Sequence, residues 1–412
     1  MKIYFKFIRL LLLSMSMLLA VLFCFPQKVF CREGGIRYLK YYYSYKDYNL
    51  QPQNWWILQD KRGIIYVGNN IGLLEFDGVS WREINIPNLM ARSLAVDSAG
   101  TLYIGGNNEI GFLTSDKKGT WQYMSLIDRL QGDKKNFSDV WKTYVTGDGV
   151  YFQAREFLFR WNPGSQTINY WTPGPGGDFH FSFTCRGKLY IRQHNKGLME
   201  MTGDSPKIAS GGEIFAEKKI YMMAPYDSQK ILIGTLSNGF YLYDGIQAVP
   251  FPTEADKYVN ENILYHGIRL SCGDYALATL QGGLVIIDPR GKLKEILDKN
   301  SGLEDNSVNY VFEDTQGNLW LALEKGICKI EYTSPISTYD HRSDLPGLVN
   351  AVVRHKPENL LYAGTSNGVF SLKSKDKGKF RPVQGITHKC WSLLSKNQEI
   401  YLRHFIRSGI CG

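Results

Sequence analysis

Alanine is scarce among the 412 residues, whereas glycine reaches 41 and aromatic residues 14%. That balance disfavours long helices and favours short strands joined by tight turns. Cysteine pairs at C-x-x-C spacing are also missing. Five cysteines lie beyond residue 31 (Cys185, Cys272, Cys328, Cys390 and Cys411), an odd number that argues against a disulfide framework. Cys272 and Cys328 fall in strand-like runs and read as small buried hydrophobes. The seven histidines (180, 194, 266, 341, 355, 388 and 404) are scattered, with no H-x-H, H-E-x-x-H or His/Cys spacing that would hold zinc. There is no G-x-S-x-G elbow and no phosphate-cradling G-x-x-x-x-G-K. The sequence therefore nominates no cofactor, no metal ligand and no catalytic residue. Carboxylates are plentiful, so a glycosidase pair stays open on spacing alone.

Acidic residues are absent before Glu33, where Lys2, Lys6 and Arg9 precede an apolar run. A basic segment followed by an apolar one reads as a secretory leader over residues 1–31, with an uncleaved membrane anchor as the alternative. After residue 31 no apolar stretch is long enough to cross a bilayer. The net charge of +9 falls to +5 once Lys2, Lys6, Arg9 and Lys28 are set aside, too little for a nucleic-acid footprint. Hydrophobic residues at 44% and charged residues at 21% make a globular chain.

What the chain has in abundance is a short repeated phrase. Residues 60–78, "DKRGIIYVGNNIGLLEFDG", are echoed from Asp97, from Asp314 and near the end in "NLLYAGTSNGVFSL". The pattern is D-x-x-G, an aromatic or aliphatic pair, a small residue, a polar turn, then Gly and an apolar run. The Gly closing the polar turn recurs at 72, 111, 197, 239, 283, 326 and 368, with Phe157 in its place in a degenerate copy. Spacings of 39 to 46 residues with only strand signals inside fall in the propeller range. Asp-x-x-Gly closes a hairpin, because Asp bonds its own backbone and Gly accepts positive φ. The small mid-strand residue (Gly68, Gly105, Gly234, Ala278, Ala322 and Gly364) marks close backbone approach. The expected fold is all-β, a seven-bladed propeller of four-stranded antiparallel blades over residues 36–343. Residues 344–412 then open an incomplete second propeller of one to two blades. The phrase fails after Leu402, where "RHFIRSGICG" follows, so a truncated or frame-shifted product is expected.

A binding site in such a ring belongs at one mouth of the axial channel, where loops of all blades converge. Ten residues upstream of Tyr66 and its counterparts runs a column of Trp56, Ser93, Trp141, His180, Met222, His266 and Tyr310. Aromatic faces and hydrogen-bonding edges suit a sugar, although the same rings also suit packing between blades. Trp56, Trp141, His180, His266 and Tyr310, with Arg92 beside the column, form the candidate ligand-binding set. Asn69, Asn70, Asn107, Asn108, Asn195 and Asn238 crowd the polar turns and read as turn residues.

The stretch "QNWWILQDKRGIIYVGNNIGLLEFDGVSW", with "SPISTYDHRSDLPGLVNAVV" and "LLYAGTSNGVF" downstream, resembles the two-component-regulator propeller repeats. Its opening is most similar to the branch with a triple-tyrosine domain and a LuxR-type helix-turn-helix; other relatives are hybrid systems with a histidine kinase. The resemblance covers about residues 36–402. It implies a periplasmic sensor with two tandem propellers, a triple-tyrosine sandwich, one membrane helix and a cytoplasmic output. It also implies glycan fragments or other small molecules as ligands, and a homodimer. The expectation is thus a periplasmic or secreted, non-catalytic sensing region that does not itself bind nucleic acid. The alternatives are a secreted propeller hydrolase or lyase acting on polysaccharide and a protein-binding scaffold.

Overall fold

The computed structural model describes residues 40–404, except 89, 116–119, 335, 337, 340–342 and 374–377. The proposed leader over 1–31 lies outside the described residues, as do Cys411 and His341. Seven four-stranded antiparallel sheets follow one another up to residue 330, each a blade. Their innermost strands are Asn54–Gln59, Ala91–Val96, Lys142–Thr146, Phe179–Cys185, Ile220–Pro225, Leu264–Arg269 and Val308–Glu313. Each packs beside the next, and Val308–Glu313 packs beside Asn54–Gln59, so the seven blades close into a ring.

Closure uses a strand that the repeat does not announce. Lys40–Tyr43 pairs antiparallel with Ile327–Ile330, supplying the outermost strand of the seventh blade from the start of the chain. Tyr43 then spans the seam, its ring 5.4 Å from Phe76, 5.3 Å from Trp81 and 6.1 Å from Trp320. Buried Asn54 binds across the same seam, donating from Nδ2 to the Gly326 carbonyl at 2.9 Å, and Asn309 donates to the Asn54 carbonyl at 3.0 Å.

The repeated phrase has a local cause at each position. Asp60 Oδ1 accepts from the backbone N–H of Arg62 and Ile64, and Asp97 and Asp314 hold their turns in the same way. The second Asp314 oxygen takes the Trp320 indole N–H at 2.9 Å, which ties the turn to the strand it launches. Asn108 and Asn195 take positive φ, as expected of turn residues. The small mid-strand residue answers to the neighbouring blade. A Cβ on Gly68 would stand 2.5 Å from the Ala91 carbonyl oxygen, at the start of the next innermost strand.

The core accordingly lies in layers between blades. One layer joins Trp56, Leu58, Tyr66 and Leu73 of the first blade to Leu94, Leu102 and Ile104 of the second. Another joins Met222, Leu232 and Phe240 to Leu264, Tyr275 and Leu277. Burial of each such aliphatic side chain contributes roughly 1.5–3 kcal/mol. Cys185 and Cys328 are buried thiols, as the strand reading expects for Cys328. Cys272 differs: the strand ends at Arg269, which leaves Cys272 half-buried in the following turn, and it is disulfide-bonded.

Beyond the ring, Val349–His355, Leu360–Thr365, Gly368–Leu372 and Arg381–Pro382 form another four-stranded sheet, and Cys390–Lys396 pairs with Glu399–His404. Among the described residues no helix is long and apolar enough to cross a membrane.

Candidate functional site

A one-residue register shift marks the start of most innermost strands. It falls between Asn54 and Trp56, Ala91 and Ser93, Ile220 and Met222, Leu264 and His266, and Val308 and Tyr310. In the fourth blade the shift spans Phe179 to Ser182. A bulge leaves its extra residue out of the ladder and re-aims the side chain. The bulged residues Trp55, Arg92, His180, Tyr221, Tyr265 and Asn309, with Trp141 of the third blade, form one tier. The next residues along (Trp56, Ser93, Lys142, Phe181, Met222, His266 and Tyr310) form a second.

Contacts between non-adjacent blades place both tiers on the ring axis. Arg92 of the second blade lies 3.4 Å from the Trp55 ring centroid, 4.3 Å from that of Trp141, and donates to Tyr265 Oη of the sixth blade at 3.3 Å. Lys142 Nζ of the third blade lies 4.9 Å from Trp56, 4.7 Å from Phe181 and 5.9 Å from Tyr310. Tyr310 stacks on Trp56 at 4.3 Å and on His266 at 3.9 Å. Phe181 meets Trp141 at 5.6 Å, and His180 meets Tyr221 at 5.1 Å.

All six sequence-nominated residues thus reach the axial cluster, but not as one column. Trp56, His266 and Tyr310 belong to the inner tier, Arg92, Trp141 and His180 to the bulged tier. The slip of one residue in the third and fourth blades has a visible cause. The hairpin turn after the innermost strand is one residue shorter there: Tyr144 pairs with Tyr151 and Phe183 with Tyr190, against Leu58 with Tyr66 in the first blade, so a count of ten from the tyrosine lands one residue early. The residues missed are Lys142 and Phe181 in the inner tier and Trp55, Tyr221 and Tyr265 in the bulged one.

Electrostatically the cluster is cationic. Burial lowers the Arg92 guanidinium from its ordinary value, and Asp139 is the nearby carboxylate, 3.8 Å from Nε. Burial, assisted by Arg92, brings the Lys142 ammonium down to about 7. His180 is held neutral, its pKa lowered to about 3 by burial and then by the Arg192, Lys219 and Lys142 charges. His266 is also held neutral by burial, and its Nδ1 accepts from the Val311 N–H at 3.3 Å, which leaves the proton on Nε2. Among the described residues no group of three or more His, Cys, Asp and Glu side chains could hold a metal ion.

A separate groove of about 440 Å³ opens at the opposite end of the first two innermost strands, lined by Asp60, Lys61, Arg62, Asp97 and Trp121. Its polar groups are answered locally: Arg62 pairs with Asp60, Lys61 donates to the Ser98 carbonyl and Trp121 to Glu75. It offers structure more than a site.

Residues 302–325, which contain the innermost strand of the seventh blade and the Asp314 turn, match the family described as Two component regulator propeller. The match lies within a single blade of the ring. Other propellers of known structure share its fold. The extracellular domain described as that of a hybrid two component system from B. thetaiotaomicron, BT3049, superposes with a TM-score of 0.64 at 17% identity, covering 89% of this chain and 52% of that one. A one component system domain from the same organism, BT4673, gives 0.56 at 16% identity over 91% and 52%. Virginiamycin B lyase from Staphylococcus aureus gives 0.52 at 14% identity over 71% and 99%. The chain therefore spans about half the length of the system domains it matches. No curated protein sequence matches it.

Proposed function

We propose that this chain is the extracytoplasmic sensing region of a membrane-anchored regulator, capturing a small ligand, such as a glycan fragment, at the axial mouth of its ring without catalysis. Residues 1–31 act as the leader, 36–343 as the sensing propeller and 344–412 as the opening of a second one. The observation that carries the reading is the axial cluster. Half-buried Trp55, Trp141, Tyr221 and Tyr265 converge there from four blades on buried cations, an arrangement that packing alone does not require. The family match and the likeness to extracellular domains of two component systems support it.

The test is a glycan-array and thermal-shift screen on the purified chain, repeated with Trp141→Ala. A ligand that raises the melting temperature of the natural chain and loses most of that shift in Trp141→Ala is the expected result. A ligand whose shift ignores Trp141 and its tier places capture elsewhere and removes the axial reading.

A further inference from the structure

The axial cluster holds more positive charge than its own residues answer. Lys142 is only 5% exposed, yet among the described residues its ammonium meets ring faces and no hydrogen-bonding oxygen. Cation–ring attraction offsets only part of the desolvation of a buried ammonium. Arg92, 7% exposed, reaches Asp139 and Tyr265 only at 3.8 and 3.3 Å. With Trp55 on one side of its guanidinium and Trp141 within 4.3 Å, its remaining N–H groups are directed in the plane between the rings. Trp55 Nε1 and His180 Nδ1 in the same tier are buried without hydrogen-bond partners. Buried polar groups left unpaired in this way call for an explanation. Lys142, Trp55 and His180, gathered with the loosely paired Arg92 from the first four blades onto one axis, have a common one in a ligand that brings acceptors and negative charge.

We propose that the axial mouth binds an anionic sugar, its acidic group seated by Arg92 and Lys142 and its ring bordered by Trp141, Tyr221 and Tyr265. The assignment rests on the sensing reading and narrows its ligand class. A carboxylate accepts in-plane bonds from a guanidinium and neutralises a neighbouring ammonium, and a sulfate ester does the same. The two sources are therefore separated by experiment. Trp55 Nε1–H supplies one more donor. Neutral His180 contributes through Nδ1 without adding a charge.

Isothermal titration of the full chain would use three oligosaccharides of equal length: a galacturonate, a sulfated galactose and a neutral galactose. The acidic probe of the right source is expected to bind, and Lys142→Met to weaken it by about tenfold or more. Arg92→Gln should weaken it in parallel, and the better of the two acidic probes identifies carboxylate or sulfate. Lys142→Met removes a charge that has no anionic partner among the described residues, so the variant should melt no lower than the natural chain; it decides alone if Arg92→Gln fails to fold. Neutral sugar binding that equals or exceeds the acidic probes overturns the anion while the sensing reading stands. Binding of neither acid, or an acid affinity unchanged in Lys142→Met, overturns it as well.

Discussion

Blade eight, over residues 349–382, repeats the local design of blade one almost residue for residue, yet the two fare differently. Both bulge before their third innermost position, between Asn54 and Trp56 and between Val349 and Ala351. Both carry a glycine too close to the next strand for any side chain: a Cβ on Gly364 would stand 2.7 Å from Cys390 Sγ. In register, Ile57 opposite Val67 corresponds to Val352 opposite Ala363. Ile57 is fully buried and Val352 is 59% exposed. In the hairpin that follows, Trp391 is 49% exposed and Leu394 58%. Local sequence builds a blade, while burial of its inner strand comes from neighbours on both sides. A blade's stability is thus largely a property of the closed ring.

That contrast can be broken most forcefully at the seam. Deleting Lys40–Tyr43 should cost the ring on the order of 4 kcal/mol, through four lost residue pairs and the ring contacts of half-buried Tyr43. Deleting residues 344–412 should change the main unfolding midpoint by less than about 0.5 kcal/mol. Equal shifts in a denaturant titration would erase the distinction.

A second test compares two lysines above tryptophans. Lys142 Nζ lies 4.9 Å over buried Trp56, and Lys389 Nζ lies 3.7 Å over exposed Trp391. Lys142 keeps a pKa of about 7 in the fold against an ordinary value of 10.5, so between those values the unfolded chain holds the extra proton. The Lys142 contribution to stability therefore rises with pH across that window. Lys142→Met should stabilise the ring by about 3 kcal/mol at pH 7 and below, the gain fading towards pH 10. His180 and His266 are held neutral and Arg92 stays cationic, while burial raises the thiols of Cys185, Cys328 and Cys390 and the phenols of Tyr221, Tyr265 and Tyr310, which oppose the trend above pH 9; the difference between the natural chain and Lys142→Met isolates the lysine. Lys389→Met, above an exposed ring, should shift stability by less than about 0.5 kcal/mol.

Other effects follow from packing. Gly68→Val meets backbone and should destabilise by about 3 kcal/mol, whereas Gly364→Val meets the side chain of buried Cys390 and should cost less, about 1–2 kcal/mol. Least of all, Leu394→Ser should stay within about 0.5 kcal/mol, while Leu277→Ser, fully buried in the ring, should cost several times as much. Parallel chemical melts of the four variants decide both comparisons.

Much of this fold is legible in sequence because its signals are short-range. Asp60 and Gly63, or Asp314 and Gly317, act within one turn, and their recurrence counts the blades directly. The seam is not short-range. Lys40 pairs with Ile330, and "KYYY" carries neither the Asp turn nor the small residue that would mark it as part of a blade. The candidate site was readable in composition and blurred in register, because the turn between the first two strands is one residue shorter in the third and fourth blades and shifts a fixed count by one. Lys142 escaped for another reason. A lysine in a strand normally reads as a solvent-facing residue, and only contacts from the first, fourth and seventh blades reveal it on the axis.

Lys40–Tyr43 also sets a schedule. The strand leaves the ribosome, or emerges from a secretion channel, long before Ile327–Ile330 exists to receive it. It must wait as an unpaired strand while six blades take shape, exposed to any edge that will accept it. The seam is then the last join to be made. A pull on the beginning of the chain would load it first, so the ring should yield like a clasp, opening at its fastening before any link gives way.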